Sequence, residues 1–265
     1  MRLNIGLGII LLAALSCTKN NVRKHQDNAQ SLFVNEKLQL TVIDAYGSRQ
    51  FSAGDQIDIA AKNFKPGMIF SHWSGDIDEI QDTKKALNTF KAKNKSYLIK
   101  ANYIDKPVDY SGPFWGFAQN IPGVIEAEEF DYGNGNFQDL DEKNKGNQFR
   151  SESPDIYLNL FNQYQVGSAQ AGEFLKYSIN VLRSGTYALE AAVANPQVGS
   201  ELSFEIQNQK IISKVSTTGG WRKFQIQKMG SVQLNKGQHQ LVLKFSKNGG
   251  GGYVADIDFL RLVQQ

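Results

Sequence analysis

A single cysteine in 265 residues excludes an internal disulfide framework. The three histidines, His25, His72 and His239, each stand alone in their stretch, so none has a second base or metal ligand beside it. A net charge of +3 is too small to argue for nucleic acid. The apolar run Leu3 to Leu15 is too short to span a bilayer comfortably. Prolines number only 6, and three of them, Pro107, Pro113 and Pro122, fall close together. What the chain does have is 41% hydrophobic and 11% aromatic residues, enough for a real core and against wholesale disorder.

The cysteine is informative by its place. Met1-Arg2 gives a short positive start, the apolar run follows, and Ala14-Leu15-Ser16-Cys17 resembles a bacterial lipobox. That resemblance implies cleavage before Cys17 and a lipid anchor on it, with the protein held in the bacterial cell envelope. Ala14 stands where the pattern usually has Leu, so an ordinary secretory signal is the alternative. Residues 1–16 are then the signal peptide. Residues 17–37, polar and without period, read as a flexible tether that carries His25 in solvent.

From Leu38 apolar and polar residues alternate between turns at Tyr46-Gly47, Ala53-Gly54-Asp55 and Pro66-Gly67. Gly54, Ile57-Asp58-Ile59-Ala60-Ala61, Phe70-Ser71-His72-Trp73-Ser74-Gly75-Asp76 and Ala101-Asn102-Tyr103 resemble the internalin-type B-repeat. The resemblance spans 38–105 and implies a small β-grasp-like spacer or adhesion module, with Trp73 as its core anchor and His72 at the surface. Residues 106–120 read as a Pro-containing linker. Its Phe114, Trp115 and Phe117 are expected to pack against the following domain, the alternative being an exposed aromatic contact for a ligand.

Residues 121–265 show short alternating strands divided by Gly, Asn and Ser, the pattern of an antiparallel β-sandwich. Read as a strand, Ile125-Glu126-Ala127-Glu128-Glu129 points Glu126 and Glu128 to one face. Paired carboxylates there suit a hard cation such as Ca2+, or are two ordinary surface acids. Ile121 to Glu128, Gly146-Asn147-Gln148-Phe149-Arg150, Ala171 to Tyr177, Ser184 to Leu189, Thr218-Gly219-Gly220-Trp221 and Leu234 to Leu241 together resemble, in order, a family 6 carbohydrate-binding module. That resemblance implies a jelly-roll sandwich and a loop site of two aromatic platforms and one polar residue. These fall on Phe149, Trp221 and Asp256, with Phe where the family usually has Tyr and Asp where it commonly has Asn. It also implies a structural Ca2+ held by Glu126, Glu128 and Asp258. Phe174 is expected to fill core volume, and His239 to sit in a turn or the core.

From Ile206 to Ala255 there are eight Lys or Arg and no Asp or Glu. This allows an anionic glycan, or solvated strand faces balanced by acids elsewhere. The expected function is a non-catalytic surface lipoprotein that binds polysaccharide and presents it to glycan-degrading enzymes. The alternatives are an adhesion or scaffold lipoprotein that binds another protein, and a small polysaccharide-degrading enzyme drawing on Asp139, Asp141, Glu142, Glu152 or Glu173.

Overall fold

A computed structural model describes residues 37–141, 144–146, 148–152, 154–160 and 162–265. The signal, Cys17 and nearly all of the tether lie outside these residues. Among the described residues the regular structure is strand, and no helix is long and apolar enough to cross a membrane.

The first seven strands are β1 (Leu38–Ile43), β2 (Ala45–Tyr46), β3 (Arg49–Phe51), β4 (Gln56–Ala61), β5 (Met68–Gly75), β6 (Leu87–Lys91) and β7 (Tyr97–Asp105). They form a four-stranded sheet in the order β3-β1-β7-β5 and a three-stranded sheet β2-β4-β6. β1 and β7, the ends of this region, run parallel with Leu40 opposite Tyr97. The alternating residues meet in one core, in which Leu40, Ile57, Trp73 and Ile99 are fully buried. The Trp73 indole is wholly enclosed and donates to the Lys85 carbonyl at 2.8 Å, while His72 is exposed.

The stretch 106–120 is no free spacer. Its lack of period reflects turns and large rings that pack to both sides. Gly116 donates to the Pro113 carbonyl at 2.9 Å, and the Trp115 carbonyl accepts from Phe70 N–H at 2.8 Å. Gly116 has φ 81°, and a Cβ there would meet Phe70 N at 2.8 Å and O at 2.9 Å, so a side chain is excluded. Phe117 turns back, edge-on to Phe70 with centroids 6.5 Å apart. Phe114 turns forward and stacks on Tyr132 at 5.0 Å and Phe149 at 5.3 Å. The Trp115 indole donates to Glu129 Oε2 at 2.9 Å. Against the same cluster, the Arg150 guanidinium lies 3.8 Å from the Phe130 centroid and 4.1 Å from that of Tyr132. Its Nη1 donates to the Phe130 carbonyl at 2.7 Å.

The remaining strands are β8 (Gln119–Ile121), β9 (Gly123–Glu126), β10 (Phe137–Gln138), β11 (Ile156–Leu158), β12 (Tyr164–Val166), β13 (Phe174–Val181), β14 (Gly185–Ala194), β15 (Glu201–Ile206), β16 (Gln209–Lys214), β17 (Gln225–Leu234), β18 (Gly237–Lys247) and β19 (Asp256–Gln264). One sheet has the order β10-β13-β18-β15-β16, with β8 beside β13; the other runs β11-β12-β19-β14-β17, with β9 beside β19. Inward residues of the two sheets form a single core, among them Leu175, Tyr177, Leu241 and Leu243 from one and Val193, Leu260 and Leu262 from the other. Tyr187 and Leu189 are buried in that core, as the alternation requires. Phe174 departs from expectation: the two-residue period that buries Leu175 and Tyr177 turns it to the outer, half-buried face, with Lys176 Nζ 5.6 Å from its ring centroid. His239 lies near a turn, its Nε2 hydrogen-bonding the Asn235 carbonyl at 2.9 Å.

Candidate functional site

A cavity of about 400 Å3 opens where strand ends and loops meet at one end of the sandwich. Tyr157 and Leu158 come from β11, Gln165 from β12, and Asp256 is the first residue of β19. Trp221 and Arg222 come from the β16–β17 loop, and Tyr253 from the glycine-rich turn before β19.

Local chemistry fixes each loop. Thr218 is buried; its N–H donates to the Asn195 carbonyl at 2.6 Å and its hydroxyl accepts from Asn195 N–H at 2.8 Å. With that residue clamped, the Gly219-Gly220 turn carries Trp221 outward as a half-buried ring beside the cavity. The Trp221 and Tyr253 rings meet edge to face, centroids 6.3 Å apart. The glycine turn beneath Tyr253 closes through Gly249 N–H to the Tyr253 carbonyl at 2.8 Å, and Gly251 N–H donates to Gln197 Oε1 at 2.5 Å.

Asp256 is 8% exposed and forms the polar floor. Gln165 Nε2 donates to its Oδ2 at 3.0 Å, and Ser168 N–H to its Oδ1 at 3.4 Å. Burial pushes its carboxyl up to about 7 despite these donors. Gly167 makes this closeness possible, since a Cβ there would stand 2.8 Å from Asp256 Oδ1 and 3.1 Å from the Tyr157 ring. The Tyr157 hydroxyl is fixed by a 3.0 Å contact with Ser168 Oγ. Rings and an aliphatic lip thus surround a small set of oriented polar groups, an arrangement that can hold the C–H face of a sugar and its hydroxyls together.

The sequence-derived trio divides. Trp221 and Asp256 share the cavity; Phe149 lies elsewhere. Its ring, held at φ 64°, is clasped between Phe114 at 5.3 Å and Tyr164 at 4.7 Å and does not line the cavity. The reason is the packed stretch before the sandwich, which offers Phe149 a stacking partner that motif order does not reveal. Tyr157 and Tyr253 supply the additional rings instead. Sequence reasoning missed both. Tyr253 did leave a signal, an aromatic at the end of the run Gly249 to Gly252.

The acids Glu126, Glu128 and Asp258 meet at the junction of β9 and β19, but not through strand alternation. β9 ends at Glu126, and Glu129 N–H donates to the Glu126 carbonyl at 3.1 Å, so Glu128 enters on a turn. Asp258 is the extra residue of a bulge: Ala192 pairs Phe259 and Val193 pairs Ile257. Ala127 N–H donates to the Asp258 carbonyl at 3.0 Å. Burial first, then the neighbouring carboxylates, pushes Glu128 up to about 8; burial and Asp258 raise Glu126, and burial raises Asp258. Glu128 Oε2 is buried without a hydrogen-bond partner. An orphaned oxygen among mutually repelling acids fits a site that takes a cation. The geometry is looser than a closed site, because among the described residues only Asp139, Asp141 and Asp155 have oxygens all within 4.8 Å of one another. There the positive charge is already supplied: Lys145 Nζ pairs with Asp141 and lies 3.7 Å from Asp155.

Residues 142–264 match the family model Carbohydrate binding module (family 6). Among solved structures, the chain is similar to the C-terminal family 6 module of a marine laminarinase from Zobellia galactanivorans, at 23% identity and TM-score 0.41, covering 54% of this chain and 98% of that one. It is similar to a module of Cellvibrio mixtus lichenase 5A in complex with cellotriose, at 22% identity and TM-score 0.41, with 54% and 98% covered. A β-1,3-glucan-binding module from Bacillus halodurans shows 18% identity and TM-score 0.42, with 55% and 98% covered. A comparison with curated proteins finds no match.

Proposed function

We propose that this chain captures polysaccharide, without cleaving it, in the cavity lined by Trp221, Tyr157, Tyr253 and Asp256. One observation carries the reading: aromatic walls and a buried, oriented Gln165–Asp256 pair face the same opening. Stacking on Trp221 supplies affinity, and Asp256 accepts a hydroxyl to set the orientation of the ring. The family match of residues 142–264 supports the same reading. Affinity electrophoresis against a polysaccharide panel tests it, with a reducing-end assay alongside. Retardation without product release, lost in Trp221→Ala, is the expected result; unchanged retardation of that variant removes the cavity from consideration.

Two further parts belong to the proposal. A structural Ca2+ sits between Glu126, Glu128 and Asp258, where the orphaned Glu128 oxygen supports it and ties β9 to the last strand. The protein is a lipoprotein anchored through Cys17 in the cell envelope, holding glycan near partner enzymes. Mass spectrometry of the mature N-terminus tests the anchor, with an unmodified Cys17 or cleavage at another position counting against it.

A further inference from the structure

Of the eight cations between Ile206 and Ala255, the structure balances several. Glu205 takes Lys244 at 2.8 Å and Lys210 at 3.8 Å, and Glu201 takes Lys247 at 3.7 Å. Lys214 lies opposite Glu201 in the β15–β16 ladder; Lys228 lies opposite Glu190 in the β14–β17 ladder, where Glu190 is held by Arg261 at 2.5 Å. Lys223 folds along the Gly219-Gly220 turn, its Cδ 3.7 Å from where a Gly220 Cβ would stand. Lys236 is exposed in the turn after β17, away from the cavity; of the eight only Arg222 lines it. Arg222 is exposed, and among the described residues no carboxylate lies within ion-pair distance of it. The one acid of the cavity, Asp256, is buried in the floor and already accepts from Gln165 and Ser168.

We infer that the glycan held here carries an anionic substituent, a carboxylate or a sulfate, recognised at the rim by Arg222. This rests on the reading of the cavity as a glycan site. A guanidinium offers a planar fork of donors that matches either group in two parallel hydrogen bonds. Tyr157, Leu158, Leu160 and Trp221 line the cavity beside it and would take the apolar face of the same sugar. Asp256 sets the orientation, because its buried oxygens, already fixed by Gln165 and Ser168, suit a hydroxyl. The charged substituent therefore stays at the rim while a neutral edge of the sugar enters.

The test is affinity electrophoresis and calorimetry of the full chain with paired polymers. One pair is polygalacturonate and its fully methyl-esterified form; the other is a sulfated galactan and the same galactan after desulfation. Laminarin and xylan serve as neutral arms. The charged member of at least one pair is expected to bind about tenfold tighter than its neutral counterpart, and the responding pair identifies carboxylate or sulfate. Arg222→Ala abolishes that preference and Arg222→Lys restores part of it. Lys236→Ala, in the turn between β17 and β18, leaves it unchanged, which separates the site from general basicity. Raising salt from about 50 to 500 mM weakens binding of the charged polymer. Equal binding of both members of each pair, or an unaltered Arg222→Ala, overturns the inference. If neutral polymers bind in a Trp221-dependent manner all the while, the glycan reading stands without it. If no polymer binds in a Trp221-dependent manner, the reading itself falls.

Discussion

Trp221→Ala and Phe149→Ala are expected to have opposite consequences, although both remove a large ring. Phe149 is half-buried and touches Phe114 and Tyr164. Truncating a fully enclosed Phe costs about 3–5 kcal/mol, so about 2 kcal/mol is reasonable for a ring enclosed in part. For a folded unit of this size that lowers the melting temperature by about 4–8 °C. Alanine also has to adopt the φ of 64°, so the backbone strain is common to both chains and the difference reports the ring. Trp221 has one edge-on aromatic neighbour, and its loop is held by Thr218 rather than by the indole. Its loss should change stability by less than about 1 kcal/mol. What it removes is area for a ligand, on the order of 60–100 Å2 for one covered face, or about 1.5–2.5 kcal/mol and a 10- to 70-fold weaker affinity. Thermal melting and calorimetry with the best polysaccharide of the panel read both quantities on both variants. The reasoning is refuted if Phe149→Ala melts like the parent and loses binding, because Phe149 would then be free to face a ligand.

Three other outcomes follow from the same geometry. With a dissociation constant near 10⁻⁴–10⁻³ M, 1 mM Ca2+ should add about 0.4–1.4 kcal/mol, read as a rise of roughly 1–5 °C over an EDTA control. Glu128→Gln should lose that response, and identical melting in Ca2+ and EDTA would count against the site. Burial pushes the Glu173 carboxyl up to about 7 from an ordinary 4.5, so the folded state keeps a proton that the unfolded chain releases earlier. Its contribution to stability is therefore fullest below about pH 4.5, declines as pH rises towards 7, and is flat above. Glu173→Gln should remove about 1–2 kcal/mol of that slope, measured by urea unfolding at pH 5 and pH 8; equal slopes would refute the assignment. Trp115→Phe keeps most of the ring but removes the donor to Glu129 and should destabilise by about 1–3 kcal/mol in urea unfolding, a neutral result meaning that the bond contributes nothing.

The sandwich was legible because its strands obey a period of two. Leu175, Tyr177, Leu241 and Leu243 declare an inner face without reference to anything distant. The same rule misplaced Phe174, where volume was weighed above phase. It also failed at the acids, because neither a turn after Glu126 nor a bulge at Asp258 leaves a mark in alternation, yet both steer a carboxylate. Trp221 could be read from its glycine-flanked turn and Asp256 from the motif around it. Phe149 could not, since its partner Phe114 lies 35 positions earlier in a stretch without period, and pattern reading carries no information about contacts of that span. The charge pattern offers Arg222 only as one of eight; its place on the rim of the cavity, which none of the other seven lines, sets it apart.

The backbone bond between Phe70 and Trp115, with Gly116 pressed against the same strand, has a mechanical corollary. Because Phe114 leans one way and Phe117 the other, the segment between them acts as a splint instead of a swivel. A pull applied near residue 37 would reach the mouth of the cavity as torque, with little slack taken up on the way. An enlarged side chain at position 116 would pry Trp115 from Phe70 and put slack into that path while leaving the cavity lining itself untouched.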